Sequence, residues 1–98
     1  MRSQVLAWLE TRRPAPPAVL REHLVAAVTD APDGLPEHLA RIGGELLGRV
    51  AREPAGGREL ALDLLAADAF VTYAFEAQAE LAVGGLAELA ARVSAAER

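Results

Sequence analysis

Apolar residues recur along this chain at steps of three and four, the spacing that places them on one face of an α-helix. The pattern is clearest over 35–52, where the apolar stripe consists of Leu35, Leu39, Ile42, Leu46 and Val50. The opposite face is charged and contains the pairs Glu37–Arg41 and Glu45–Arg49, at the i, i+4 spacing that stabilises helices. We therefore predict an amphipathic helix here, with one face in the core.

Clusters of proline and glycine at 13–17, 30–34 and 53–57 predict connections that separate further helices. The first helix is predicted over 4–12 with Ser3 as its N-cap, and the second from Pro17 to Thr29. The longest, over 58–83, is apolar on two sides, which is typical of a central helix or of one shared with a second subunit. Gly84-Gly85 then either ends this helix or kinks it, and 86–97 is again helical.

These segments predict one all-α domain over 1–98: a compact bundle of four to five helices with a long central fourth helix. Only four residues are aromatic, whereas alanine and leucine are abundant, which favours helix over strand. The third helix also carries a row of small residues, namely Ala40, Gly44 and Gly48, with Gly43 beside it. Each glycine inside a helix costs about 1 kcal/mol relative to alanine, so the row predicts close packing against another helix.

Charge and composition exclude several classes of function. The 14 acidic and 10 basic residues give a net charge of −4, so neither nucleic acid nor an anionic membrane is an expected partner. The absence of cysteine excludes disulfides, thiolate metal sites and cysteine nucleophiles. No signal peptide and no apolar run of about 18 residues is recognisable, so we expect a cytoplasmic protein without a membrane segment.

Candidate chemistry is sparse. His23 and His38 lie at the edges of their apolar stripes, and neither has a second ligand at the helical spacing that a metal site needs. A polar stripe on the fourth helix, made of Asp68, Thr72, Glu76 and Glu80, is predicted to face solvent, with a cation or a basic partner as the alternative. The glycines lie in mid-helix, where phosphate loops do not occur. We predict no catalytic residue, no metal and no cofactor.

One segment resembles a known family. Leu64 to Glu80, LLAADAFVTYAFEAQAE, is similar to a helix of the all-α polyprenyl diphosphate synthases, and it covers 17 of the 98 residues. Those enzymes bind magnesium diphosphate through aspartate-rich D-D-x-x-D motifs, which this chain lacks. The resemblance therefore implies helical structure only, and it carries over no activity and no site residue.

For function, the two-sided fourth helix and the small-residue row favour a non-enzymatic interaction or accessory protein, either self-associating or packed on a larger assembly. The candidate interface residues are Gly44, Gly48, Leu62, Leu65, Tyr73 and Val83. The alternative is a small-ligand-binding domain or a small enzyme with a pocket between helices, involving Tyr73, His23 or Asp68.

Overall fold

The computed structural model describes residues 2–30, 34–52 and 56–96, and over these ranges the chain forms four α-helices and no strand. They are α1 (Arg2–Leu9), α2 (Ala18–Ala27), α3 (Leu35–Arg52) and α4 (Arg58–Ala96). The all-α prediction is confirmed for this part of the chain. Most of the connections predicted at 30–34 and 53–57 lies outside the described residues.

α3 has the bounds that its apolar stripe predicts. Pro36 occupies its first turn, where the missing amide hydrogen costs no helical hydrogen bond. Glu37 lies in the first turn, and Arg49 and Arg52 lie in the last, so their charges oppose the partial charges of the helix ends. The apolar stripe, the first turn and the last turn are therefore all consistent with the same helix bounds.

α1 and α2 are shorter at their C-terminal ends than the periodicity predicts, and Ser3 lies inside α1 instead of capping it. α2 ends at Ala27, and Val28 is extended with φ −69° and ψ 122°. The Arg2 side chain donates to the carbonyl oxygens of Val28, at 3.2 Å, and Val25, at 3.5 Å. Carbonyl groups at a helix end need partners from outside the helix, and α1 supplies them here.

α4 is continuous for 39 residues, so Gly84-Gly85 does not end it. A glycine weakens a helix by about 1 kcal/mol relative to alanine, yet it keeps its backbone hydrogen-bonding groups. At 1.5 Å per residue, α4 is about 58 Å long. It therefore determines the longest dimension of the molecule, which measures 64 × 24 × 19 Å.

The core forms where α3 packs on one side of α4 and α1 and α2 pack on another. α3 comes closest at Gly43, where a Cβ atom would lie 3.0 Å from Cγ2 of Val71 and 3.3 Å from the backbone oxygen of Ala67. The small-residue row behaves differently: Gly44 is exposed with open space around it, and Gly48 is close only to Arg52 of its own helix. Close packing within the chain thus depends on Gly43.

The prediction of a compact bundle is wrong for the second half of α4. We call 58–80 the proximal segment of α4 and 81–95 the distal segment. Every residue of the distal segment is exposed, because no other described helix lies beside it. The radius of gyration is 16.7 Å, compared with about 13 Å for a compact chain of this length.

Candidate interaction surface

The distal segment carries a row of exposed apolar residues that begins in the proximal segment. Phe75 is 72% exposed, Leu86 66%, and Leu89 and Val93 52% each. Together with two exposed alanines they are spaced by four, three, four, three and four residues, which places them on one face of the helix. We call this set the α4 stripe: Phe75, Ala79, Ala82, Leu86, Leu89 and Val93.

The α4 stripe leads into an apolar groove at the junction of α3 and α4. The groove has a volume of about 300 Å³, and its walls include Pro36 and Ala40 of α3 and Val71 and Phe75 of α4. Phe75 belongs to both features, so the groove and the stripe form one continuous apolar surface. A contiguous exposed apolar surface on a small protein is typical of an interaction site.

Sequence reasoning missed this surface because it left open whether Gly84-Gly85 ends the long helix or kinks it, and so followed no single face from Phe75 to Val93. The signal is nevertheless present in the sequence, since the alternation of three- and four-residue steps continues from Phe75 to Val93 without a break across Gly84-Gly85. These steps place the residues on one face only if the helix is continuous across Gly84-Gly85.

The predicted interface residues lie in different surroundings. Leu65 and Val83 are exposed and, being five helical turns apart, are on the same side of α4. Gly44 is exposed on α3, whereas Gly48 is only partly exposed. Leu62 and Tyr73 are partly buried within the chain itself.

Tyr73 belongs to a cluster of aromatic and ionic contacts that fastens α1 and the turn after it to α4. The Trp8 and Tyr73 rings meet edge to face, with centroids 5.8 Å apart. The guanidinium of Arg12 lies 3.7 Å from the centroid of the Trp8 ring and donates to Glu76, at 2.9 Å, and to Glu80, at 2.8 Å. The indole Nε1–H of Trp8 donates to Glu80 at 2.9 Å. One of the two apolar sides of α4 is therefore partly covered by α1 of the same chain.

These contacts change the acidity of two side chains. The hydrogen bond from Trp8, followed by the hydrogen bond from Arg12, lowers the pKa of the Glu80 carboxyl. Burial, followed by the nearby carboxylate of Glu76, raises the pKa of the Tyr73 phenol. The charged form of Glu80 and the neutral form of Tyr73 are thus the forms that the folded cluster favours.

The four residues of the polar stripe on α4 fall into two groups, one that faces water and one that binds a basic residue. Asp68 and Thr72 are exposed, as expected for a face in water. Glu76 and Glu80 instead bind a basic residue, and that residue is Arg12 of the same chain.

The two histidines make structural contacts within the chain. His38 is fully buried, not at the edge of the core, and its Nε2–H donates to the carbonyl oxygen of Thr29 at 2.9 Å. The Nε2–H of His23 donates to Asp63 at 2.5 Å and so connects α2 with α4. Within the described ranges, no group of three or more histidine, aspartate or glutamate side chains is placed to hold a metal ion.

A cavity of about 180 Å³ lies between the turn after α1, α2 and α4. Its walls include Tyr73 and three arginines, Arg12, Arg13 and Arg21. Each guanidinium already has a partner: Arg12 binds two glutamates, Arg13 donates to backbone carbonyls, and Arg21 pairs with Glu10. Neither His23 nor Asp68 lines this cavity, so the structure does not bring the three predicted pocket residues together.

None of the helices in the described ranges is both long enough and apolar enough to cross a membrane. Comparison with protein-family models, with curated proteins and with solved structures gives no match to this chain. The α4 stripe, the groove and the cavity are therefore the features that bear on its function.

Proposed function

We propose that this protein is a non-enzymatic helical interaction protein and that its docking surface consists of the α4 stripe and the adjoining groove. The observation that supports the proposal is the exposure of four large apolar side chains on one face of a helix that projects beyond the bundle. Water opposes such exposure, and a partner would remove it.

The size of this effect fits a docking surface. Complete burial of a large apolar side chain contributes about 1.5–3 kcal/mol, so covering the half to three quarters still exposed on four of them contributes roughly 5 kcal/mol. Association itself costs at least about 4 kcal/mol in lost freedom of motion. A stable complex therefore needs contacts beyond the stripe, and the groove is the surface that offers them.

The experiment compares two double variants in native mass spectrometry of the protein purified gently from its own cells. Leu86→Glu with Leu89→Glu places two charges on the stripe, whereas Ala87→Glu with Ala91→Glu places two charges on exposed positions of the opposite side. We expect the wild type and the control to have a mass above the 10.3 kDa of one chain, and the stripe variant to return to it.

Two results would contradict the proposal. One is a wild-type protein that stays at the mass of a single chain. The other is a stripe variant that keeps the same associated mass as the control. Circular dichroism of both variants is the control for folding, and we expect unchanged helical spectra because none of the four substituted residues contacts the core.

A small-ligand binder is the second candidate, and the cavity beside Tyr73 is the observation that favours it. Ligand pockets usually have about 300–1,000 Å³, so a cavity of about 180 Å³ could take only a small molecule. Its arginines would select a small carboxylate or phosphate that displaces the glutamates and backbone carbonyls they bind in the free protein. Such a ligand would raise the melting temperature of the wild type and have a weaker effect on Tyr73→Phe. A panel of small anions without any shift would remove this candidate.

A further inference from the structure

We infer that the partner on the α4 stripe is a second copy of this chain, with the two α4 helices antiparallel; this inference rests on the proposed function. Steps of three and four residues allow two helices to pack along a common seam. The stripe is asymmetric along its length, because its small residues Ala79 and Ala82 precede the large residues Leu86, Leu89 and Val93. This asymmetry decides between the two possible orientations.

In an antiparallel pair centred on residue 84, each small residue faces a large one. Ala79 meets the partner's Leu89, Ala82 meets the partner's Leu86, and Phe75 meets the partner's Val93. Layers that combine a large with a small side chain fill the space between helices evenly. In a parallel pair each residue would meet its own copy, so two layers of alanine pairs would leave gaps beside layers of leucine pairs. The order of residues along the stripe therefore favours the antiparallel pair.

The residues on either side of the seam agree with this arrangement. Val83, one of the predicted interface residues, would lie on one edge of the seam, about 3 Å along the axis from the partner's Val83, and Gly85 would lie on the other edge at the same offset from the partner's Gly85. Apart from the adjoining turns of α4 itself, no atom of the described residues lies within 4 Å of a Cβ atom built at Gly85 or Gly84. Packing within one copy thus gives no reason for a glycine at 85, whereas a second helix crossing at that point does. Arg92, on one edge of the seam, would lie near the uncharged Gln78 of the partner.

The groove completes the interface. With the helices centred on residue 84, residues 89–95 of one copy run beside 73–79 of the other, next to the groove. The overlapping span 73–95 is about 33 Å long, and with half a helix circumference of about 16 Å it covers roughly 500 Å² on each copy, or roughly 1,000 Å² in total. Two occupied grooves add to this area and bring it to the roughly 1,200 Å² at which stable interfaces begin.

Disulfide trapping tests both the partner and the orientation. The chain has no cysteine, so each single variant carries one thiol. Ala79→Cys and Leu89→Cys lie at exposed positions that face each other only in the antiparallel pair. In that pair, Leu89 lies about 15 Å along the axis from its own copy, well beyond the roughly 7 Å that a disulfide spans between Cα atoms.

We expect covalent dimer when the two variants are mixed and oxidised, and loss of that product when either variant is oxidised alone. Cross-linking of Leu89→Cys alone would overturn the inference in favour of a parallel pair. Absence of any cross-link, with the mass of a single chain across a concentration series, would overturn self-pairing altogether. In that last case the proposed function still stands if the wild type from its own cells binds a different protein and the stripe variant releases it. The proposed function fails if the wild type binds no other protein.

Discussion

The two segments of α4 are both rich in alanine and leucine, yet one is the centre of a core and the other is surrounded by water. The proximal segment buries Ala66, Ala67, Phe70, Ala74 and Ala77 completely or almost completely. Four of these five side chains are alanine, so neighbouring helices can approach closely from two sides. The distal segment has the larger share of its apolar bulk exposed, on Leu81, Val83, Leu86, Leu89 and Val93.

This difference shows that apolar content alone does not determine burial. The proximal segment is covered because α1, α2 and α3 all return to it, whereas none of the helices described ahead of α4 lies beside the distal segment. The distal segment therefore combines the composition of a core with the surroundings of a surface. A second protein chain packed on the distal segment would remove this mismatch.

The largest expected effect comes from two phenylalanines five residues apart. Phe70 is fully buried, so Phe70→Ala should lower the free energy of unfolding by about 3–5 kcal/mol. Phe75 is 72% exposed, so Phe75→Ala should cost less than about 1 kcal/mol in the dissociated chain. Chemical denaturation followed by circular dichroism at low protein concentration measures both. Equal losses in the two variants would contradict the contrast between the buried and exposed faces of α4.

A smaller difference in stability is expected between alanine variants of two adjacent glycines of α3. Gly44→Ala adds a methyl group in open space, so it should stabilise the protein by up to about 1 kcal/mol through helix propensity. Gly43→Ala adds the same group 3.3 Å from the Ala67 backbone oxygen, which cannot rotate away. The overpacking costs about 1–3 kcal/mol, so this variant should be the less stable of the pair.

Thermal denaturation of the two alanine variants beside the wild type provides the comparison. Each substitution has the same intrinsic helix propensity, so the difference between them isolates the close contact of α3 with α4. A Gly43→Ala protein as stable as Gly44→Ala would mean that α3 can move away from α4 at no cost.

Much of this fold is predictable from the sequence. The single amphipathic stripe of 35–52 determines α3 within one residue at each end, and the two-sided apolarity of 58–80 indicates a central helix. Local spacing carries both signals, because helix faces depend only on residues three and four apart.

Contacts between distant segments are not encoded by spacing. Sequence reasoning noticed the glycines of α3 but not that Gly43 alone faces α4, since one position on the helix separates a buried glycine from an exposed one. It also missed the hydrogen bond from Trp8 to Glu80, which joins residues 72 positions apart.

The projection of the distal segment depends on the lengths of α1, α2 and α3, and these are set by prolines and end contacts. For the same reason the α4 stripe became recognisable only once α4 was known to be continuous.

The smallest expected effect concerns the end of the proximal segment, where Glu80 holds Trp8 and Arg12. The pKa of Glu80 is lowered in the folded protein, so the folded state binds fewer protons than the unfolded state in the acidic range. Its contribution to stability is therefore complete above the ordinary glutamate value of about 4.3 and is lost as the pH falls through the lowered value. The loss should be modest, because the carboxylate is half exposed and water screens it.

Trp8 is the only tryptophan, so its fluorescence reports directly on the contact between α1 and α4. On acidification we expect the emission of Trp8 to change over that range in the wild type and in Glu88→Gln, which alters an exposed carboxylate of the distal segment. In Glu80→Gln this change should be absent, because the side chain no longer titrates. If all three proteins instead follow one acid transition, Glu80 does not control the docking of α1, and the proximal segment retains its cover without this carboxylate.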